Sequence, residues 1–170
     1  ILKTIFRPRR PIDTYLSHHL YLGFLRSPQR EVDLDEVFAV FMDNPHTYTR
    51  EKMAEVYCHG GQAAQRQVLT AALAAGARIA EPGEFTKRAF LNGRIDLAQA
   101  ESVLDIIESE SSRELESAVA HTKGRLSDRL EELRTDVLNL LVEVEAEIDF
   151  PDEELSVSAQ DWLRRIDEMR

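Results

Sequence analysis

Residues 80–108 read A-E-P-G-E-F-T-K-R-A-F-L-N-G-R-I-D-L-A-Q-A-E-S-V-L-D-I-I-E, placing a Pro-Gly turn, an Asn-Gly turn and two helix starts within one short span. The chain changes character across it. Upstream the pattern is mixed. Residues 20–24 and 37–42 are short runs rich in β-branched and aromatic side chains, the composition of strands. Ser27-Pro28-Gln29-Arg30 between them has hairpin turn chemistry, and Asn44-Pro45-His46-Thr47 breaks the second run. Residues 53–58 predict a third strand. Gly60-Gly61 then opens an Ala-, Gln- and Leu-rich helix through about residue 75, with Gly76 placed as a C-cap glycine. Residues 78–80 predict a short strand before the Pro82-Gly83 turn.

Downstream of Asp96 the pattern is helical. Asp96 caps a helix with Leu97, Ala100, Val103, Leu104 and Ile107 on one face. A longer single helix is expected from about residue 112. Its apolar positions run from Leu115 and Val119 through Leu126, Leu130, Leu133, Val137, Leu140, Leu141 and Val144 to Ile148. Spacings of three or four residues make one stripe suited to a bundle, longer than the helix available here to cover it. Pro151 ends that helix beside Asp149 and Asp152, and Ser158 begins a last helix carrying Trp162 and Ile166, with no obvious partner. The expected fold class is α+β, a small α/β domain over residues 1–94 followed by a helical segment over residues 95–170.

The 170 residues suffice for a real core, and 43% hydrophobic with 31% charged residues is ordinary for a folded soluble protein. No apolar run approaches a bilayer span, no signal peptide opens the chain, and one cysteine, Cys58, predicts a reduced, cytoplasmic setting. The start at Ile1-Leu2-Lys3 predicts a chain that begins inside a longer protein. A net charge of −10 argues against a generic nucleic-acid surface. The basic opening, Lys3, Arg7, Arg9 and Arg10, reads as a solvated, partly frayed terminus.

Few residues carry chemistry. Glu55 ends a predicted strand ahead of Cys58-His59-Gly60-Gly61, where glycines let a ligand approach the backbone and a helix N-terminus offers free N–H groups. A carboxylate there accepts paired N–H donors from a pterin-like ring; on composition alone, an exposed strand residue followed by a turn is the stronger reading. Arg94, after Asn92-Gly93, suits a ligand carboxylate or equally a surface ion pair with Asp96 or Glu101. His59 is the most tempting general base, with no orienting carboxylate assignable from sequence. Cys58 reads as a small core residue, His18-His19 as strand-edge surface without metal-ligand spacing, and Glu143, Glu145 and Glu147 as a solvated acidic surface. No G-x-x-x-x-G-K-[ST] loop occurs, so the chain is not expected to hydrolyse GTP.

The blocks at residues 55–61 and 80–108, with I-D-F-P-D-E-E at 148–154, resemble the N-terminal region of the MnmE (TrmE) family of tRNA-modifying GTPases, over nearly the whole chain. The resemblance implies a folate-binding, dimerising α/β domain, similar to the folate domain of aminomethyltransferases, leading into a helical domain. It implies 5-formyltetrahydrofolate as the one-carbon folate, with the family's acidic contact on Glu55 and its basic contact, often lysine, on Arg94. His59, Gly60 and Gly61 are the weaker contact candidates, and no catalytic or metal-ligating residue is assigned. Family proteins work with a flavin-dependent partner, MnmG (GidA), to install a carboxymethylaminomethyl-type group at position 5 of the wobble uridine of certain tRNAs. Their GTP, Mg²⁺ and K⁺ sites lie in a Ras-like G domain that these residues do not contain. A glycine-rich first strand with another folate-contacting arginine would precede Ile1, and a tail cysteine proposed as catalytic has no match in Cys58. The family's T-G-E-D segment stands here as Thr49-Arg50-Glu51-Lys52, without its glycine and one acid. Two rivals remain: a dimerisation and helical scaffold that binds no folate, and a stand-alone aminomethyltransferase-like folate enzyme, against which the long acidic helices speak.

Overall fold

Alternating strand residues build the first of two compact units, Ile1–Ile95 and Asp96–Arg170. The computed structural model describes residues 1–30, 32–149 and 159–168. In the first unit, β1 (Phe6–Pro8), β2 (His19–Arg26), β3 (Asp33–Met42) and β4 (Met53–Tyr57) form an antiparallel sheet in sequence order. Period two sorts their side chains. Phe6, Leu25, Val37 and Ala39 turn to one face and are buried with Ile5 and with Ala71 of α2 (Gln62–Ala74). Leu25 and Val37 are 0% and 1% exposed, and burying such a side chain stabilises by about 1.5–3 kcal/mol. The opposite face carries Leu20, Leu22, Phe38, Val40, Glu55 and Tyr57, aligned by the pairings Leu22↔Phe38, Phe38↔Tyr57 and Val40↔Glu55. Leu20, Phe38 and Tyr57 on that face remain exposed.

Two expectations fail here. The opening is no frayed terminus: α1 (Leu2–Ile5) is one helical turn, and Ile5 and Phe6 enter the core. Two of the four basic residues are paired with acids, Arg7 with Asp33 and Arg9 with Glu36 at 3.2 Å, with the Arg7 guanidinium 5.2 Å over the Phe24 ring. Residues 78–80 form no strand; the Arg78 side chain turns instead to α3 (Glu84–Leu91). The Arg78 guanidinium grips the Glu84 carboxylate at 2.5 and 2.8 Å, and the Glu81 N–H donates to Glu84 Oε2.

The second unit begins at a capping box. The Gln99 N–H donates to Asp96 Oδ1 and the Asp96 N–H to Gln99 Oε1, starting α4 (Leu97–Glu108) where expected. The buried side of α4 differs from the apolar stripe: Ser102 is 1% exposed, while Leu97, Leu104 and Ile107 lie open. Small, hydrogen-bonded side chains set that contact. The Ser102 hydroxyl meets Thr122 Oγ1 at 2.8 Å and the Gln99 carbonyl at 2.7 Å, beside buried Ala118.

The expected single long helix is two, α5 (Ser112–Thr122) and α6 (Arg125–Asp149). Thr122's carbonyl accepts from the Gln99 side chain at 3.0 Å, and Gly124 adopts φ +92°, a left-handed conformation that stops a helix. The last helix, α7 (Ala159–Glu168), does have a partner, and Glu143 is not simply solvated. The Glu143 carboxylate accepts from Arg165 Nη1 at 2.7 and 2.8 Å and from Trp162 Nε1 at 3.3 Å. The Arg165 hydrogen bond holds Glu143 below its ordinary pKa. Pro151, Asp152, Ser158 and most of the motif at 148–154 lie outside the described residues.

Candidate functional site

Strand periodicity puts Glu55 and Tyr57 on the same open face of β4, opposite Val40 and Phe38. The Tyr57 hydroxyl donates to Glu55 Oε2, and that hydrogen bond, with the carboxylate's charge, raises the Tyr57 pKa. The remaining lone pairs of the Glu55 carboxylate stay available to N–H donors from outside the chain.

His59 sits between β4 and α2. Asp35, at the start of β3, supplies the orienting carboxylate that sequence could not assign. Its Oδ1 lies 2.7 Å from His59 Nδ1, and its Oδ2 accepts the His59 N–H at 3.1 Å. A carboxylate only accepts, so Nδ1 carries the proton and a neutral ring keeps Nε2 as acceptor. Burial pushes the Asp35 pKa up, but the His59 ring and backbone hydrogen bonds outweigh it, and the net shift is downward. The His59 side chain is 73% exposed. Gly61 is the N-cap of α2 with φ −75°, and a Cβ on Gly60 or Gly61 would meet no atom within 4 Å. The chain's own packing therefore does not require glycine at either position.

Arg94 is built differently. α3 ends in a Schellman motif: the Gly93 N–H donates to the Phe90 carbonyl and the Arg94 N–H to the Ala89 carbonyl, both at 2.9 Å. Gly93 has φ +66°, the conformation that motif needs. The segment 47–51 clamps this helix end. Asn92 Nδ2 donates to the Thr49 carbonyl at 2.7 Å, and Arg50 Nη1 donates to the Asn92 carbonyl at 3.1 Å. Tyr48 Oη lies 3.1 Å from Thr86 Oγ1 of α3, and the Arg94 guanidinium carbon lies 4.8 Å over the Tyr48 ring centroid. Among the described residues, the Arg94 side chain has no hydrogen-bond or ion-pair partner within its unit.

An alternating charge cluster secures the same segment. Arg78 and Arg88 both hold Glu84, and Arg88 Nη1 also reaches Glu51 Oε2 at 3.1 Å. The Arg78 hydrogen bond first, then those from the Glu81 backbone and Arg88, lower the Glu84 pKa to about 2.

Glu55, His59 and Arg94 thus occupy three local arrangements, and among the described residues no hydrogen bond joins them. Tyr57 was not marked in the sequence, although strand period two puts it on the face of Glu55; Asp35, Tyr48 and Thr86 are distant in sequence and left no signal. His18-His19 is tied up locally, His18 Nε2 lying 2.7 Å from the His46 carbonyl. Among the described residues no group of three or more His, Cys, Asp or Glu is placed to hold a metal, and no helix is long and apolar enough to cross a membrane.

Residues 1–94 match the family described as "GTP-binding protein TrmE N-terminus", and residues 97–170 match the "MnmE helical domain". Similar proteins named tRNA modification GTPase MnmE include that of Symbiobacterium thermophilum, 46% identical over 95% of this chain and 35% of the relative. That of Heliobacterium modesticaldum is 47% identical over 91% of this chain and 34% of its own length. That of Moorella thermoacetica is 48% identical over 98% and 37%. The chain spans about a third of the length of these relatives. With both of its segments matched in order, the chain belongs to the MnmE (TrmE) family.

Proposed function

We propose that this chain is the folate-binding, dimerising region and part of the helical domain of a tRNA-modification GTPase. The observation that carries the reading is Arg94, a guanidinium fixed at its backbone and over Tyr48 with its N–H groups unpaired within the unit. The residues fit 5-formyltetrahydrofolate chemically. Glu55 accepts from the paired N–H donors of the pterin edge, and the fork of Arg94 donates to a carboxylate of the glutamyl tail. Gly60 and Gly61, which the fold does not require, leave the α2 N-terminus open to a ligand, with His59 beside it. Bound there, the folate supplies a one-carbon unit.

The whole protein acts with the flavin-dependent MnmG (GidA) in the cytoplasm and places a carboxymethylaminomethyl-type group at position 5 of the wobble uridine of certain tRNAs. Its GTP, Mg²⁺ and K⁺ are held by a G domain distinct from these residues. Homodimerisation is supported by the exposed Leu20, Phe38 and Tyr57 on one sheet face, an apolar patch of the kind interfaces cover. The scaffold reading draws on the helices: α6 contributes no buried side chain, and Leu130, Val137, Leu141 and Ile148 lie exposed.

Calorimetric titration of the chain with 5-formyltetrahydrofolate tests the proposal. Saturable binding that Glu55→Ala and Arg94→Ala each weaken is expected. A folded wild-type chain that binds none would leave the scaffold reading.

A further inference from the structure

We propose that Tyr48 is the positioning residue that presents Arg94 to a carboxylate of the ligand's glutamyl tail, an inference that rests on the folate reading above. The Schellman motif fixes the Arg94 backbone but leaves a long side chain free beyond Cβ. Among the described residues of the unit it makes no hydrogen bond or ion pair, and its guanidinium carbon lies 4.8 Å from the Tyr48 ring centroid. Tyr48 is itself fixed from three sides. Its hydroxyl meets Thr86 Oγ1 on α3 at 3.1 Å. Its neighbours Thr47 and Thr49 are 8% and 2% exposed. Those neighbours are tied by the Thr47 hydroxyl donating to the Glu51 carbonyl at 2.7 Å and by Asn92 donating to the Thr49 carbonyl.

The ring attracts the cation without using its hydrogen-bond donors. A guanidinium tethered in this way keeps its N–H groups for an incoming carboxylate, and the entropy of ordering the side chain is spent before the ligand arrives. A direct ion pair to an acidic neighbour would have consumed those donors. Tyr48 therefore acts through Arg94, and its effect is confined to ligands that carry the carboxylate.

The test is a double-mutant cycle on the full chain, read by 5-formyltetrahydrofolate affinity and by the NMR shift of the Arg94 Nε–H proton in the free protein. Tyr48→Phe keeps the ring and is expected to bind within twofold of wild type. Tyr48→Leu removes the ring face and is expected to weaken binding about two- to fivefold, the range of an exposed cation–π contact. On an Arg94→Ala background, Tyr48→Leu should cost less than twofold. The Arg94 proton should show a ring-current shift in wild type and Tyr48→Phe that Tyr48→Leu abolishes, a readout that a loss of folding stability alone does not produce.

Three results overturn the inference while leaving the folate reading standing: Tyr48→Leu binding like wild type, Tyr48→Phe losing as much as Tyr48→Leu, or an undiminished loss on the Arg94→Ala background. Wild-type protein that binds no folate overturns the folate reading and, with it, the role assigned to Tyr48.

Discussion

Arg50 stands in the left-handed region, φ +56°, a conformation that glycine adopts without a steric cost. For a residue with a Cβ that conformation costs roughly 1–2 kcal/mol. Arginine recovers part of the cost through Nη1, which donates to the Asn92 carbonyl at 3.1 Å, and an exposed hydrogen bond of this kind contributes about 0.5–1 kcal/mol. Two substitutions separate the effects. Arg50→Ala keeps the backbone strain and loses the hydrogen bond, so it should destabilise by about 0.5–1 kcal/mol. Arg50→Gly loses the same bond and also the strain, less about 0.4–1 kcal/mol for the freer unfolded chain. Glycine should therefore be more stable than alanine by roughly 0.5–1 kcal/mol and lie close to wild type. For a unit of the size of Ile1–Ile95, that difference is roughly 2–8 °C in Tm, read by circular dichroism. Alanine melting at or above glycine would refute the reasoning, because the left-handed backbone would then carry no cost at this position.

Two further outcomes are accessible in solution. Glu84 has its folded-state pKa lowered from 4.5 to about 2, so its contribution is fully present above pH 4.5 and fades as pH falls toward 2. Acid titration of wild type against Glu84→Gln should show the two stability curves converging over that window; parallel curves would show that the carboxylate is unpaired in solution. Glu143→Ala should release Trp162, the single tryptophan, and red-shift its fluorescence, because a ten-residue helix such as α7 is marginal without its packing partner. An unshifted spectrum would place the anchoring of α7 elsewhere.

What sequence disclosed of this fold follows from where local chemistry alone decides. The strands at β2, β3 and β4 were legible because β-branched and aromatic runs bounded by turn residues have few alternatives, and the Asp96–Gln99 capping box is a purely local device. The division between α5 and α6 was hidden because one glycine inside an apolar stripe is compatible with a continuous helix. The stop at the left-handed Gly124 is completed by the Gln99 amide, from another element, taking the Thr122 carbonyl. The buried side of α4 misled for a related reason. Apolar periodicity ranks Leu104 above Ser102, but the buried position is taken by a small side chain whose hydroxyl meets Thr122 and the Gln99 carbonyl. The first strand was missed because Arg7, Arg9 and Arg10, in and just after it, dominate the local composition, while Ile5 and Phe6 immediately before them do the packing. For the candidate ligand contacts, sequence marked Glu55, His59 and Arg94 individually. It could not supply Asp35 or Tyr48, since each pairing closes over many residues of intervening chain.

The two kinds of restraint on the 47–51 segment differ in how they respond to salt, and that difference bears on ligand recognition. Arg78, Arg88 and Glu51 are exposed or half-exposed charges around a Glu84 side chain that is only 13% exposed, so ions weaken the outer attractions most, over a Debye length of about 10 Å at 0.1 M. The Thr47–Glu51, Asn92–Thr49 and Arg94–Ala89 hydrogen bonds use backbone partners and carry no net charge, so ionic strength hardly alters them. The placement of Tyr48 and of the Arg94 backbone therefore persists when the charge cluster is screened. A fall in carboxylate affinity with salt then reports the Arg94–ligand attraction itself, and loosening of the loop that presents it would not be its cause.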